Sequence, residues 1–200
     1  MQALWNKKYD KTDLLCDIAP NKFIQESIKY IKRGGRVISL GEGEGRNAVF
    51  LAKEGFVTEA MDISDIGLRK LQKKAESENV FITIRHTLIE NWIPSGKYDA
   101  VISSFMRLEK ALQREMFVKS YDALAKEGVF IGEFFSENQM KFKSGDSKEK
   151  RLLYYLPEVY KIVESFTCKI IKISEEIVEF EEERGHNGDA CVLRVVFQKV

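Results

Sequence analysis

The sequence predicts an α/β fold: one seven-stranded, mostly parallel sheet with helices on both faces and an antiparallel last strand. Three observations carry that expectation. The apolar run Val37-Ile38-Ser39-Leu40 breaks into three alternating glycines, Gly41, Gly43 and Gly45, and then into a helical pattern at Ala48, Val49, Leu51 and Ala52. Strand-like and helix-like stretches alternate from there to Phe135, the order that builds parallel strands joined by crossover helices. Near the C-terminus two strand-like runs are joined by a turn too short for a crossover, so they must be antiparallel.

Each element has its own signal. Residues 1–19 mix Trp5, Tyr9, Leu14, Leu15 and Ile18 with charges and show no clear period. A helix is expected from Pro20-Asn21, with Phe23, Ile24, Ile28 and Ile31 on one face, ending at Gly34-Gly35. The first strand is 36–40, and the helix after the glycines runs to Lys53 and stops at Gly55. A strand from Val57 to Met61 leads into Asp62, and Ser64 or Asp65 caps a helix through Glu78. Val80 to Arg85 reads as the third strand and Tyr98 to Phe105 as the fourth. A helix over Glu109 to Ala125 precedes the fifth strand, Gly128 to Phe135. Lys141 to Arg151 is a charged stretch containing Gly and Ser, open between a surface loop and a lid over a substrate. A helix over Pro157 to Phe166 and strands over 168–179 and 190–199 complete the order. The chain is expected to form a single domain, with a helical segment over 1–35 and an α/β core over 36–200.

Composition narrows the partners. The 200 residues carry 32 Lys and Arg against 31 Asp and Glu, a formal net charge of +1, so no global field favours nucleic acid or an anionic membrane. With 44% hydrophobic and 32% charged residues the chain reads as globular. Cys16, Cys168 and Cys191 are scattered and lack metal-site spacing, so neither a disulfide framework nor a metal site is expected. No stretch has the length and apolarity of a membrane span, and the expected location is the cytoplasm. A monomer or weak homodimer is anticipated.

The chemistry concentrates in the glycine loop. Glycines admit unusual φ values and let a ligand approach bare backbone. The helix start beyond Gly45 offers N–H groups and a positive dipole end, suited to a carboxylate or phosphate. Asp62 follows at the spacing of roughly 20 residues that a βαβ unit needs, which puts an acceptor for ribose hydroxyls at the adjacent strand end. A strand-end turn residue is the alternative. The dinucleotide fingerprint wants a third glycine where this chain has Arg46, and the pattern is G-x-G-x-G instead.

That loop, with Glu44-Gly45-Arg46-Asn47-Ala48 and Phe50-Leu51-Ala52 attached, resembles class I S-adenosylmethionine-dependent methyltransferases, and more narrowly the branch that includes the tellurite-resistance methyltransferases. Met61-Asp62-Ile63-Ser64 and Tyr98–Phe105 resemble the same branch, and the likeness runs loosely from about residue 5 to 199. The resemblance implies a Rossmann-like methyltransferase fold, S-adenosylmethionine as cofactor and a small-molecule acceptor. It also implies a short N-terminal helix and a loop lying over the cofactor. Cofactor contacts would come from Gly41, Glu42, Gly43, Gly45, Asn47, Asp62 and Ile63, from backbone groups of Leu88 and Ile89, and from Ser103. Two positions depart from the family pattern. Ser39 stands where many relatives carry an acid that holds the methionine end, and Glu42 is a candidate substitute or simply a solvated loop residue. Thr87 stands where an acid commonly touches the adenine amine.

Two residues are candidates for the acceptor side. His186, in the turn Arg184-Gly185-His186-Asn187-Gly188, matches a histidine that recurs in the branch and could take a proton or orient an anion. Arg107 follows the fourth strand and could bind an anionic acceptor. Both also read as ordinary surface residues. Three other functions stay open at this point: a non-catalytic S-adenosylmethionine or S-adenosylhomocysteine binder, an NAD-dependent oxidoreductase, and a protein methyltransferase.

Overall fold

A computed structural model describes residues 1–10, 19–142, 149–181 and 187–200. Its helices are α1 (Gln2–Asp10), α2 (Lys22–Ser27), α3 (Arg46–Lys53), α4 (Asp65–Ser77), α5 (Lys110–Ala123) and α6 (Leu156–Glu164). Its strands are β1 (Arg36–Leu40), β2 (Val57–Asp62), β3 (Ile82–His86), β4 (Tyr98–Ser104), β5 (Leu124–Phe135), β6 (Cys168–Glu181) and β7 (Asn187–Lys199). They form one sheet in the order β3-β2-β1-β4-β5-β7-β6. β1 to β5 pair in parallel, and β7 is antiparallel to both β5 and β6. The mixed sheet read from the sequence is therefore present, with its single reversed strand inserted between β5 and β6.

Strand residues alternate between two buried layers, as period-2 geometry requires when both faces of a sheet are covered. Ile38, Val101 and Phe130 face α5 and α6, where they meet Phe117, Val159 and Val163. Val37, Ile102 and Ile131 face the other way, against Phe23 and Ile24 of α2 and Leu51 of α3. Ala60 and Ile82 receive Leu68 and Leu71 of α4 on that second face. No helix joins β3 to β4; a loop containing Trp92, itself 2% exposed, fills that part of the core.

Element boundaries differ from expectation in three places. The helix begun at Asn21 ends at Ser27 and tightens into a 3-10 turn over Ile28–Tyr30, closed by the Ile31 N–H on Ile28 C=O. Its apolar face is kept, because Ile28 and Ile31 still pack with Phe23 and Ile24. Strand β3 starts at Ile82: Asn79 takes a φ of 54°, and the Val80 N–H still closes on Ala75 C=O, which delays strand pairing. Strand β5 starts early, at Leu124, with an irregular register before Val129 resumes against Ala100. Within the charged 141–151 stretch, residues 143–148 lie outside the described residues.

Candidate cofactor site

Three strand ends converge around the glycine loop. After Leu40, the Gly41, Gly43 and Gly45 φ angles are 66°, 62° and 93°, all in the left-handed region that side chains resist. All three have close neighbours: a Cβ on Gly41 would stand 2.9 Å from the Met106 side chain. A Cβ on Gly45 would stand 2.7 Å from Leu71, so this glycine lets α3 and α4 pack closely. A Cβ on Gly43 would stand 2.3 Å from the Tyr9 hydroxyl. The approach to bare backbone expected of a ligand is thus made in this structure by an N-terminal side chain.

The N-terminus of α3 also differs from expectation. Its N–H groups were expected to face a ligand anion, but Glu42 caps them from within: Oε1 accepts from the N–H of Asn47 and of Ala48, each at 2.9 Å. The other carboxylate oxygen accepts the Ser39 hydroxyl. Ser39 therefore does not leave its position without an acid; the side chain of Glu42 brings one there. Burial pushes the Glu42 pKa above the usual carboxylate value, and the bonds from Ser39, Ala48 and Asn47 pull against that rise.

Asp62 ends β2 on the other side of the loop. Oδ2 accepts the Gly43 N–H at 2.8 Å and Oδ1 the Ser64 N–H at 2.7 Å. Burial raises its pKa as well, against those two bonds and a third from the Ile63 N–H. The carboxylate has a structural task that its strand-end position alone does not reveal, because it ties the loop to the start of α4.

The remaining candidates divide. Asn47 is a brace: Nδ2 donates to Ser104 Oγ at 2.8 Å and Oδ1 accepts the Asn21 N–H at 2.9 Å. Ser103 is fully buried and donates to Leu40 C=O at 3.3 Å, tying β4 to β1. Ile63 lies beside Asp62, and its C=O is 2.9 Å from His86 Nε2. Leu88 is 37% exposed, whereas Ile89 is buried in the main core. The Ile89 C=O accepts the Trp92 N–H at 3.3 Å and Lys119 Nζ at 2.8 Å, so it is already engaged. Arg107 lies on the loop after β4, its guanidinium 5.5 Å from the Trp5 ring. His186 falls outside the described residues.

Helix α1 is the short N-terminal helix that the family resemblance implies, although residues 1–19 show no period of their own. Ser64 Oγ, which accepts the Gly67 N–H as the cap of α4, donates to Asn6 Oδ1 at 2.6 Å, and Asn6 Nδ2 donates to Asp65 at 2.7 Å. Lys70 Nζ reaches the Tyr9 C=O at 2.5 Å and Glu44 at 2.8 Å. Trp5 stacks on Tyr9 with ring centroids 5.8 Å apart. The helix thus crosses the carboxyl ends of the strands from His86, which contacts Gln2, to Gly43. The Trp5/Tyr9 spacing of one helical turn was the available signal.

The family model of the tellurite resistance protein TehB matches residues 1–128, well over half of the chain. The chain belongs to the TehB family. A Geobacillus sp. (strain WCH70) protein, named as a candidate methyltransferase, is 31% identical over 148 residues, 69% of this chain and 58% of its own length. This chain therefore matches less than two thirds of that relative. The crystal structure of TehB from Haemophilus influenzae superposes with a TM-score of 0.74 at 17% identity, over 100% of this chain and 67% of that one. Magnesium protoporphyrin IX methyltransferase from Synechocystis, solved with bound S-adenosylhomocysteine, gives 0.65 at 16%, over 84% and 74%. The TehB-type chain thus carries a methyltransferase fold. Among the described residues, no helix is long and apolar enough to cross a membrane.

Proposed function

We propose that this chain is an S-adenosylmethionine-dependent methyltransferase acting on a small-molecule acceptor, as one domain. The observation that carries the reading is the pair of buried carboxylates, Glu42 and Asp62, flanking the bare backbone of Gly43. They lie at the carboxyl ends of β1 and β2, beside the point where strand order reverses between β1 and β4. Open α/β sheets bind ligands at that crevice. Asp62 suits the ribose hydroxyls and Glu42 the cationic methionine end. Ile63 and Leu88 border the base.

When bound, the cofactor supplies an electrophilic methyl group on a sulfonium. The protein's part is alignment and exclusion of water. Trp5 and Tyr9 of α1 suit exclusion, since they cover the loop, and Arg107 suits an anionic acceptor. A dinucleotide is disfavoured because Arg46 holds the place of the third fingerprint glycine. Calorimetric titration with S-adenosylhomocysteine, S-adenosylmethionine and NAD tests the reading. Saturable binding of the first two only is expected, and Asp62→Ala weakens it by roughly ten- to a hundredfold, the scale of lost charge-assisted hydrogen bonds. Binding of NAD alone, or unchanged affinity in a folded Asp62→Ala protein, overturns it. Binding of both adenosyl ligands without turnover on any acceptor would favour a non-catalytic binder instead.

A further inference from the structure

Glu133 stands near the carboxyl end of β5 and is 1% exposed. Its two oxygens are shared between distant parts of the chain. Oε2 accepts from Asn21 Nδ2 at 2.5 Å, and Oε1 accepts from Arg194 Nε on β7 at 2.8 Å. The Asn21 amide cannot simply turn over, because its Oδ1 accepts the Ile24 N–H at 3.0 Å and so caps α2. Arginine has no acceptor. Both neighbours therefore present donors, and only a side chain with two acceptor oxygens satisfies them together.

The contacts continue in both directions. The Asn21 backbone N–H donates to Asn47 Oδ1, and Asn47 gives its own backbone N–H to Glu42 and its amide to Ser104. On the other side, Arg194 Nη1 donates to Glu176 on β6 at 2.7 Å. A continuous hydrogen-bonded path thus joins the β6–β7 hairpin to the acid of the glycine loop.

We propose that Glu133 is a positioning residue of the cofactor site: it holds Asn21, and through Asn21 it holds Asn47, in the arrangement that aims the Glu42 carboxylate. Arg194 makes that arrangement depend on the C-terminal hairpin. The inference rests on the reading of the glycine loop as the cofactor site. It predicts a donor–acceptor pattern that can be reversed. Glu133→Gln replaces one acceptor by a donor, so either Asn21 or Arg194 faces a like group. Adding Asn21→Asp restores the pattern: an aspartate accepts from both the Gln amide and the Ile24 N–H, while the Gln oxygen serves Arg194.

The test measures S-adenosylhomocysteine affinity by calorimetry, and melting temperature separately, on wild type, Glu133→Gln and the Asn21→Asp/Glu133→Gln pair. Val163→Ala, a buried change in α6 away from the loop, controls for stability alone. About tenfold weaker binding is expected for Glu133→Gln, with recovery to within about threefold in the double variant. Val163→Ala should melt earlier yet bind normally. A folded Glu133→Gln protein with wild-type affinity overturns the proposal, as does a double variant that binds no better than the single one. Should Glu133→Gln fail to fold, Asn21→Ala breaks the same link from the other end, and wild-type affinity there overturns it equally. Wild type that binds no S-adenosylhomocysteine refutes the cofactor reading itself and takes this inference with it.

Discussion

Two pairs of acids are satisfied in opposite ways, Glu42 and Asp62 beside the glycine loop and Glu133 and Glu176 near the C-terminal hairpin, while Glu59 on β2 is buried between Arg36 and Arg85. On the side of β1 and β2, Glu42 and Asp62 are held by backbone N–H groups and a serine hydroxyl, and burial leaves their pKa values raised. On the side of β5 to β7, Glu133 and Glu176 are held by Arg194. Burial alone would raise the Glu176 pKa, but bonds from Lys172 and Ser174 with the charges of Arg194 and Lys172 bring it down to about 2. An acid paired with a fixed cation is spent on structure. One held by backbone N–H groups and a hydroxyl, with no cation hydrogen-bonded to it, keeps negative charge that a cationic or hydroxylated ligand can use.

Breaking the paired side should cost most. Arg194→Met strands Glu133 without its cation, and removing one partner of a buried pair typically costs about 3–5 kcal/mol. Urea unfolding should show a loss on that scale; a change near zero would mean that Glu133 is not held as an ion pair. Gly43→Ala comes next. The added methyl meets the Tyr9 hydroxyl, and a φ of 62° strains an L-residue by about 1–2 kcal/mol. Displacement of α1 should also appear as faster tryptic cleavage at Lys7 or Lys8, a rate that stays constant if Tyr9 does not rest on the loop.

Glu42→Gln should have the smallest effect on stability and the opposite sign. Since the folded pKa of Glu42 lies above its unfolded value, its charge costs stability at pH 7. That cost disappears once pH falls below the ordinary 4.5, where both states are protonated. The variant should therefore melt slightly higher at pH 7, with no advantage below pH 4.5, and should bind S-adenosylmethionine more weakly. A lower melting temperature at pH 7 would contradict the comparison between the two sides.

How legible each side was in the sequence follows from the same contrast. Strand order and sheet polarity could be read because they rest on local periodicity and connection length, and all seven strands lie within a few residues of their expected places. Gly43 and Asp62 were readable for the same reason, as neighbours in a βαβ unit. What Glu42 does was only half readable: its spacing from Ser39 is local, but its capping of α3 depends on the loop's left-handed turns. Asn21, Glu133 and Arg194 were invisible, because a contact across 112 residues leaves no periodic trace. Helix α1 was legible only through the family resemblance, because its apolar residues are few and polar side chains hold it to α4.

The reversed strand has a consequence for how the chain is made. The gap between β5 and β6 is filled by β7, the last of the seven strands to leave the ribosome. A nascent chain can zip β1 to β5 together early, since each parallel pair is complete once its crossover has been translated. The hairpin strand must then find its slot at long sequence separation, the slow kind of pairing. Until it does, Glu133 has no Arg194 and the β5 edge stays open, so the ion pair and the protection of that edge form together when β7 docks.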